Sequence, residues 1–192
     1  MQCLETVETY DAISKTRLVT TYSYRHGHWD GDERELRGFG YVEQKDAEAF
    51  GAERGSGHFP TLFPDMPPPA NNEQPQSPVL IKTWFHTGSW RDRAAIGAQY
   101  ATEYWAGDND APTMPDVTLP AALVADDIRE ACRALKGLPL RVEVYGLDGS
   151  AVAGVPFSVS QHTYELRQVQ PTRPSRGEHR LPGCYLPIDV ET

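Results

Sequence analysis

The stretch KTRLVTTYSYRHGHWDGDERELRGFGYVEQK, residues 15–45, decides how the chain is read. Its first part, Lys15 to Arg25, alternates. Leu18, Thr20, Tyr22 and Tyr24 fall on one face, and β-branched and aromatic residues dominate, which predicts a strand. Glu33 to Lys45 predicts a second, with Arg37, Phe39 and Tyr41 on one face and Leu36 and Val42 on the other. Gly38 and Gly40 leave that second face without side chains, which points to a bulge or a close backbone approach. The polar, glycine-containing His26 to Asp32 joins the two, so the whole reads as a long β-hairpin.

The junction itself, HGHWDGDE at 26–33, permits a second reading. His26 and His28 on an extended segment suit a zinc ion, and Asp30 suits a third ligand or a water-positioning group. The chemistry would be metal-assisted hydrolysis, with His86 and His162 as further ligands. HxHxD also begins the HxHxDH motif of the metallo-β-lactamase fold. Here Gly31 replaces the last histidine, and the preceding residues are Tyr-Ser-Tyr-Arg instead of a buried apolar strand. Gly27 and Gly31 suit chain reversal. The expectation is therefore a solvated hairpin tip, with no metal, no cofactor and no catalytic residue, and a chain that is not an enzyme.

Other motifs read as structure. Gly38 and Gly40 lack the GxGxxG pattern and a following helix, so no phosphate cradle is expected. His86 and Ser89 form no triad, and no GxSxG elbow exists. Trp29 and Trp90 would stack on sugar rings in a glycan-binding β module, if they lay on the surface. Asp126 and Asp127 suit a helix start more simply than paired acid–base work.

Outward from the hairpin, Gly51 to Pro78 is rich in Gly, Pro, Asn and Gln and reads as an excursion or linker. Val79 to Thr87 is a third strand. A helix is expected from about Trp90 to Trp105, capped by Ser89, with Ile96, Tyr100 and Tyr104 on one face. Asp108 to Pro120 is a loop. A second helix runs from about Ala122 to Lys136 on the stripe Val124, Ile128, Ala131 and Leu135, ended by Gly137. Leu140 to Leu147 is a strand, Asp148-Gly149 a hairpin turn, and Val155 to Val169 one or two strands. The tail from Arg173 has no clear period and is expected to be irregular. The expected segments are 1–50, 51–78, 79–171 and 172–192, forming a mainly β chain of long antiparallel hairpins in one extended sheet, with two helices.

Charge narrows the partners. With 27 acidic and 18 basic residues the net charge is −9, which argues against wrapping nucleic acid or binding anionic lipid. No apolar run approaches the roughly 20 residues that span a bilayer, so no membrane insertion is expected. The N-terminus MQCLETVETYD lacks the basic and apolar parts of a signal peptide. Cys3, Cys132 and Cys184 are far apart and form no CxxC pair, so neither a thiolate zinc site nor a disulfide framework is expected.

Four blocks carry a resemblance: VETYDAISKTRLVTTYSYRHGHWDGDERELRGFGYVEQKD at 7–46, PVLIKTWFHTGSW at 78–90, IREACRALKGLPLRVEVYGLDGS at 128–150 and VPFSVSQHTYELRQVQP at 155–171. In this order they resemble the B component of Tc-type insecticidal toxin complexes, and the related Salmonella-plasmid-virulence B type proteins. The resemblance spans roughly residues 5 to 171 and leaves out the tail HRLPGCYLPIDVET. It implies a segment of the middle, C-terminal-side region of B, with Rhs-type (YD-repeat-like) sheet. It also implies partners: the rest of the B component and the C component, which together enclose a toxic polypeptide, and a pentameric A component on which that shell docks. Such a complex is secreted after a cytoplasmic stage. The family's self-cleaving aspartate site lies in the C component, so no catalytic residue is carried over. The chain is far shorter than a whole B component, which suggests a fragment, a remnant gene or a stand-alone reuse.

Overall fold

The computed structural model describes residues 2–11, 13, 16–48, 77–108, 117–120, 123–174 and 180–190. It is mainly β with two helices. Six strands, β1 (Thr6–Asp11), β2 (Thr16–Asp30), β3 (Glu35–Glu48), β4 (Val79–Phe85), β5 (Pro139–Gly146) and β6 (Ser158–Gln161), lie side by side in chain order. Every neighbouring pair is antiparallel. This is the extended sheet of hairpins that the alternation of residues 15–45 implies. The linker expected at 51–78 lies, up to residue 76, outside the described residues. Residues 109–116 of the expected Asp108–Pro120 loop do too.

The two helices are α1 (Arg93–Ala101) and α2 (Ala125–Arg133), both shorter than the periodicity predicts. α1 starts late because the chain leaves β4 through the buried segment His86, Thr87, Gly88 and Ser89. Gly88 has φ +72 there, and a Cβ on it would meet the Cys132 carbonyl at 3.2 Å. Ser89 does not cap the helix. Its Oγ accepts the Asp92 N–H at 3.3 Å and shapes the turn that precedes it. In α2 the stripe holds at Ala131 and Leu135, which are buried, but Val124 precedes the helix and is exposed. Gly137 ends the segment with φ +80.

Three further expectations are corrected. Asp148-Gly149 is not a two-residue hairpin. The Asp148 carboxylate accepts the Ser150 N–H at 2.9 Å, but β6 starts only at Ser158. The tail is not irregular. After short β8 (Arg173–Pro174) and β9 (Arg180–Leu181), β10 (Cys184–Asp189) pairs antiparallel with β7 (Tyr164–Gln170). Pro187 hides β10's period in the sequence, yet an edge strand tolerates a proline whose missing N–H faces outward. Finally, Arg37, Phe39 and Tyr41 do not share a simple face. Phe39 lies against Tyr24 at 5.0 Å, whereas Tyr41 lies under the guanidinium of Arg25, the next residue on β2.

Two cores result. Tyr41, Trp84 and Tyr100 are buried between the sheet and α1, with Ile96, Tyr104 and Leu140 around them. Val117, Ala131, Leu135, Tyr164 and Leu166 are buried between α2 and the β7–β10 pair.

Candidate functional site

The stretch 26–35 is more strand than loop. β2 runs on to Asp30, only Gly31 to Arg34 turn, and β3 resumes at Glu35. His26 to Asp30 are thus strand residues and not the hairpin tip. Asp30 makes the turn. One carboxylate oxygen accepts the N–H groups of Asp32 (3.0 Å) and Glu33 (3.1 Å). The other accepts Nε (3.1 Å) and Nη2 (2.7 Å) of Arg37, which is buried. The Glu33 N–H and the Arg37 charge hold this carboxyl below the usual range, against a smaller opposing effect of burial.

The remaining acids of the turn face bases. Asp32 pairs with Arg91 (3.1 Å), Glu33 with Arg129 (3.3 Å), and Glu35 with Lys136 (2.6 Å) and Arg133 (3.8 Å). Arg129, Arg133 and Lys136 stand four and three residues apart, so they form one stripe along α2 and the turn after it. The hydrogen bond from Lys136 lowers the Glu35 carboxyl below its ordinary value. α2 is therefore two-sided. Ala131 and Leu135 enter the core, and the basic stripe meets the acidic hairpin end.

The four described histidines are spread over two neighbourhoods. His26 takes φ +58, which brings it to the Tyr41 side beside Arg25. Its Nε2 meets Glu103 at 2.8 Å, and Gln99 donates to Nδ1 at 3.2 Å. A ring with its proton on Nε2 satisfies both. Glu103 also accepts the Trp84 indole N–H at 3.3 Å. Burial, the largest single influence, raises the Glu103 carboxyl, but these two hydrogen bonds and the neighbouring His26 and Arg25 charges together bring it below its ordinary value. His28 is half-buried further along β2. His86 and His162 instead flank Tyr164, at 5.7 and 6.4 Å between rings, and His162 meets Asp189 at 2.9 Å. Among the described residues no three His, Cys, Asp or Glu side chains converge as a metal site would need. Trp29 is 61% exposed on β2. Trp90 is half-buried with the Arg91 guanidinium 5.0 Å over its ring.

A second polar network crosses the sheet under α1. Cross-strand pairing aligns Glu43, Lys82 and Glu143. Glu143 is fully buried and satisfied. One oxygen accepts Arg141 Nε (2.6 Å) and the Trp105 N–H (2.9 Å), and the other accepts the Tyr145 hydroxyl (2.6 Å). Arg141 also reaches the Trp105 carbonyl (3.1 Å). The Glu43 side repeats the theme, accepting from Tyr41 (2.7 Å) and Ser23 (3.0 Å). Burial first, then the hydrogen bond to its carboxylate, pushes each tyrosine hydroxyl well up. A shallow depression beside Lys82 is lined by Glu103, Trp105 and Tyr145. Its charged groups are engaged, Lys82 over the Tyr145 ring and Glu103 with His26. The arrangement fixes strands and helices to one another.

Sequence reasoning passed over both sets of partners. The basic stripe was visible as Arg129, Arg133 and Lys136 at helical spacing. The buried network was visible as Arg141, Glu143 and Tyr145 alternating on a strand. Neither spacing says which distant carboxylate or backbone group answers it.

The chain's relatives carry the same architecture. A family model described as the insecticide toxin TcdB middle/N-terminal region matches residues 1–59, and one for the middle/C-terminal region matches residues 130–182. The crystal structure of TcdB2–TccC3–Cdc42 is 32% identical over 99% of this chain, with a TM-score of 0.70. That of TcdB2–TccC3 without the hypervariable C-terminal region is 34% identical over 99%, with a TM-score of 0.69. The Photorhabdus luminescens Tc holotoxin pore is 35% identical over 86%, with a TM-score of 0.64. The chain spans 8%, 8% and 7% of the length of those chains. No curated protein sequence matches it. The likeness runs past residue 171 and takes in the tail that the resemblance left out.

Proposed function

This chain belongs to the TcdB-type insecticidal toxins, as part of their middle region, and on that premise we propose that it is a wall segment of a toxin-complex shell and catalyses no reaction. In this reading the wall, completed by the rest of the B component and by the C component, encloses a toxic polypeptide and docks on a pentameric A component. The complex works outside the cell that makes it, after a cytoplasmic stage. One observation carries the proposal: six antiparallel strands run in chain order, and among the described residues β1 and β6 are paired on one side only, as the margins of a piece of a longer wall would be. The engaged state of His26, Asp30, Asp32 and Glu33 supports a structural use of the stretch 26–33 that resembles a metal motif.

The test replaces the matching segment of a TcdB-type protein with this chain and coexpresses the product with a TccC-type protein. The reading expects a complex that coelutes at the size of the unaltered pair. Separate elution of the two proteins, with the grafted one folded, contradicts it.

A further inference from the structure

We infer that the outer part of the β2–β3 hairpin is a hinged strap, whose tip is clasped to α2 by charge and is released by salt. Among the described residues no strand flanks the outer part. β1 joins β2 only over residues 16–21, and β4 joins β3 only over residues 41–46. Beyond Gly27 and Phe39 the hairpin is therefore a two-stranded ribbon, which lacks the cooperative support of a wider sheet.

Its root is built to bend. His26 (φ +58) and Gly38 (φ +95) both take left-handed backbone, and the register shifts between Gly27 and Trp29. Gly40 fixes the base below that point, because the Tyr100 hydroxyl occupies the space of its absent side chain.

The tip is held by ion pairs: Glu33 to Arg129, and Glu35 to Lys136 and Arg133, with Asp32 to Arg91 beside them. The side chains of the Glu35 pairs with Lys136 and Arg133 are 34–46% exposed, so dissolved ions reach them. Trp29, on the strap, is 61% exposed and is not buried beneath the helix. The two cores that the strap bridges share no residue. Backbone hydrogen bonds from the His86 N–H to the Leu138 carbonyl and from the Gly137 N–H to the His86 carbonyl, 2.9 Å each, tie the end of the α2 segment to the sheet in either state, so an open clasp frees the hairpin end alone.

The experiment uses the full chain with Cys3→Ser and Cys184→Ser, leaving buried Cys132 in place. Spin labels go on Gly31→Cys, where a Cβ meets nothing within 4 Å, and on exposed Asp126→Cys at the start of α2. Label separation is measured in low salt and at about 1 M salt, where the screening length is about 3 Å. The strap predicts one narrow distance in low salt that lengthens and broadens in high salt. Glu35→Lys should do the same without salt, and adding Lys136→Glu should restore the narrow distance. A distance that ignores salt overturns the inference, as does one that is broad throughout. Should Glu35→Lys fail to fold, the salt series on the labelled parent decides alone.

Discussion

At the scale of single residues, the contacts sort glycines and charges by what they touch. Gly40 and Tyr100 form the tightest pair, since a Cβ on Gly40 would lie 1.6 Å from the Tyr100 hydroxyl. Gly40→Ala should cost about 1–3 kcal/mol in urea unfolding, the range for overpacking a filled core. Tyr100→Phe should cost nothing, because that buried hydroxyl has no hydrogen-bond partner among the described residues. Glu143 is the opposite case. Glu143→Leu strands Arg141 without its carboxylate and should cost about 3–5 kcal/mol by the same measurement. A cost below about 1 kcal/mol would remove Glu143 from the account. The sequence made the glycine pair partly legible. Gly38 and Gly40 signalled a bulge or close approach, and the structure uses Gly38 for the first and Gly40 for the second. It could not show that Tyr100, sixty residues on, fills the gap, because that contact depends on where α1 lands.

Among the elements, the hairpin and α2 were each legible and their meeting was not. Period-two alternation marks β2 and β3, and the spacing of Ile128, Ala131 and Leu135 marks α2. The clasp joins residues about a hundred apart, and local pattern carries no such information. The pH dependence belongs to this scale. Glu35 and Asp30 lie below their ordinary values of 4.5 and 3.8, as do Glu43 and Glu103 below 4.5. A carboxyl lowered by folding stabilises the fold above its unfolded value, and that contribution is lost as pH falls through the folded value. Unfolding free energy from these four should therefore be level above about pH 5 and fall at lower pH. Glu35→Gln should make the fall shallower in denaturant titrations taken from pH 6 to 3. An equally steep fall in the variant would mean that the clasp contributes nothing.

For the whole molecule, the sheet was legible as a class, and its far ends were not. β1 is an edge strand whose side chains are mostly exposed, and β10 is interrupted by proline, so neither shows a buried period. At the other edge, β6 is short, with exposed Val159 within it and exposed Phe157 just before it. Such an edge invites another strand, so Val159→Lys should lower self-association of the isolated chain in sedimentation velocity. No change would show that β6 is not the sticky edge. The central claim is that this chain is wall, and a wall encloses. The measurement that tests it most directly is protease protection of the hypervariable C-terminal region of the TccC-type partner, in the complex grafted with this chain. The account predicts that this region survives as it does in the unaltered complex, while the same region released by denaturation is digested. Digestion in the intact grafted complex at the rate of the released region would contradict it.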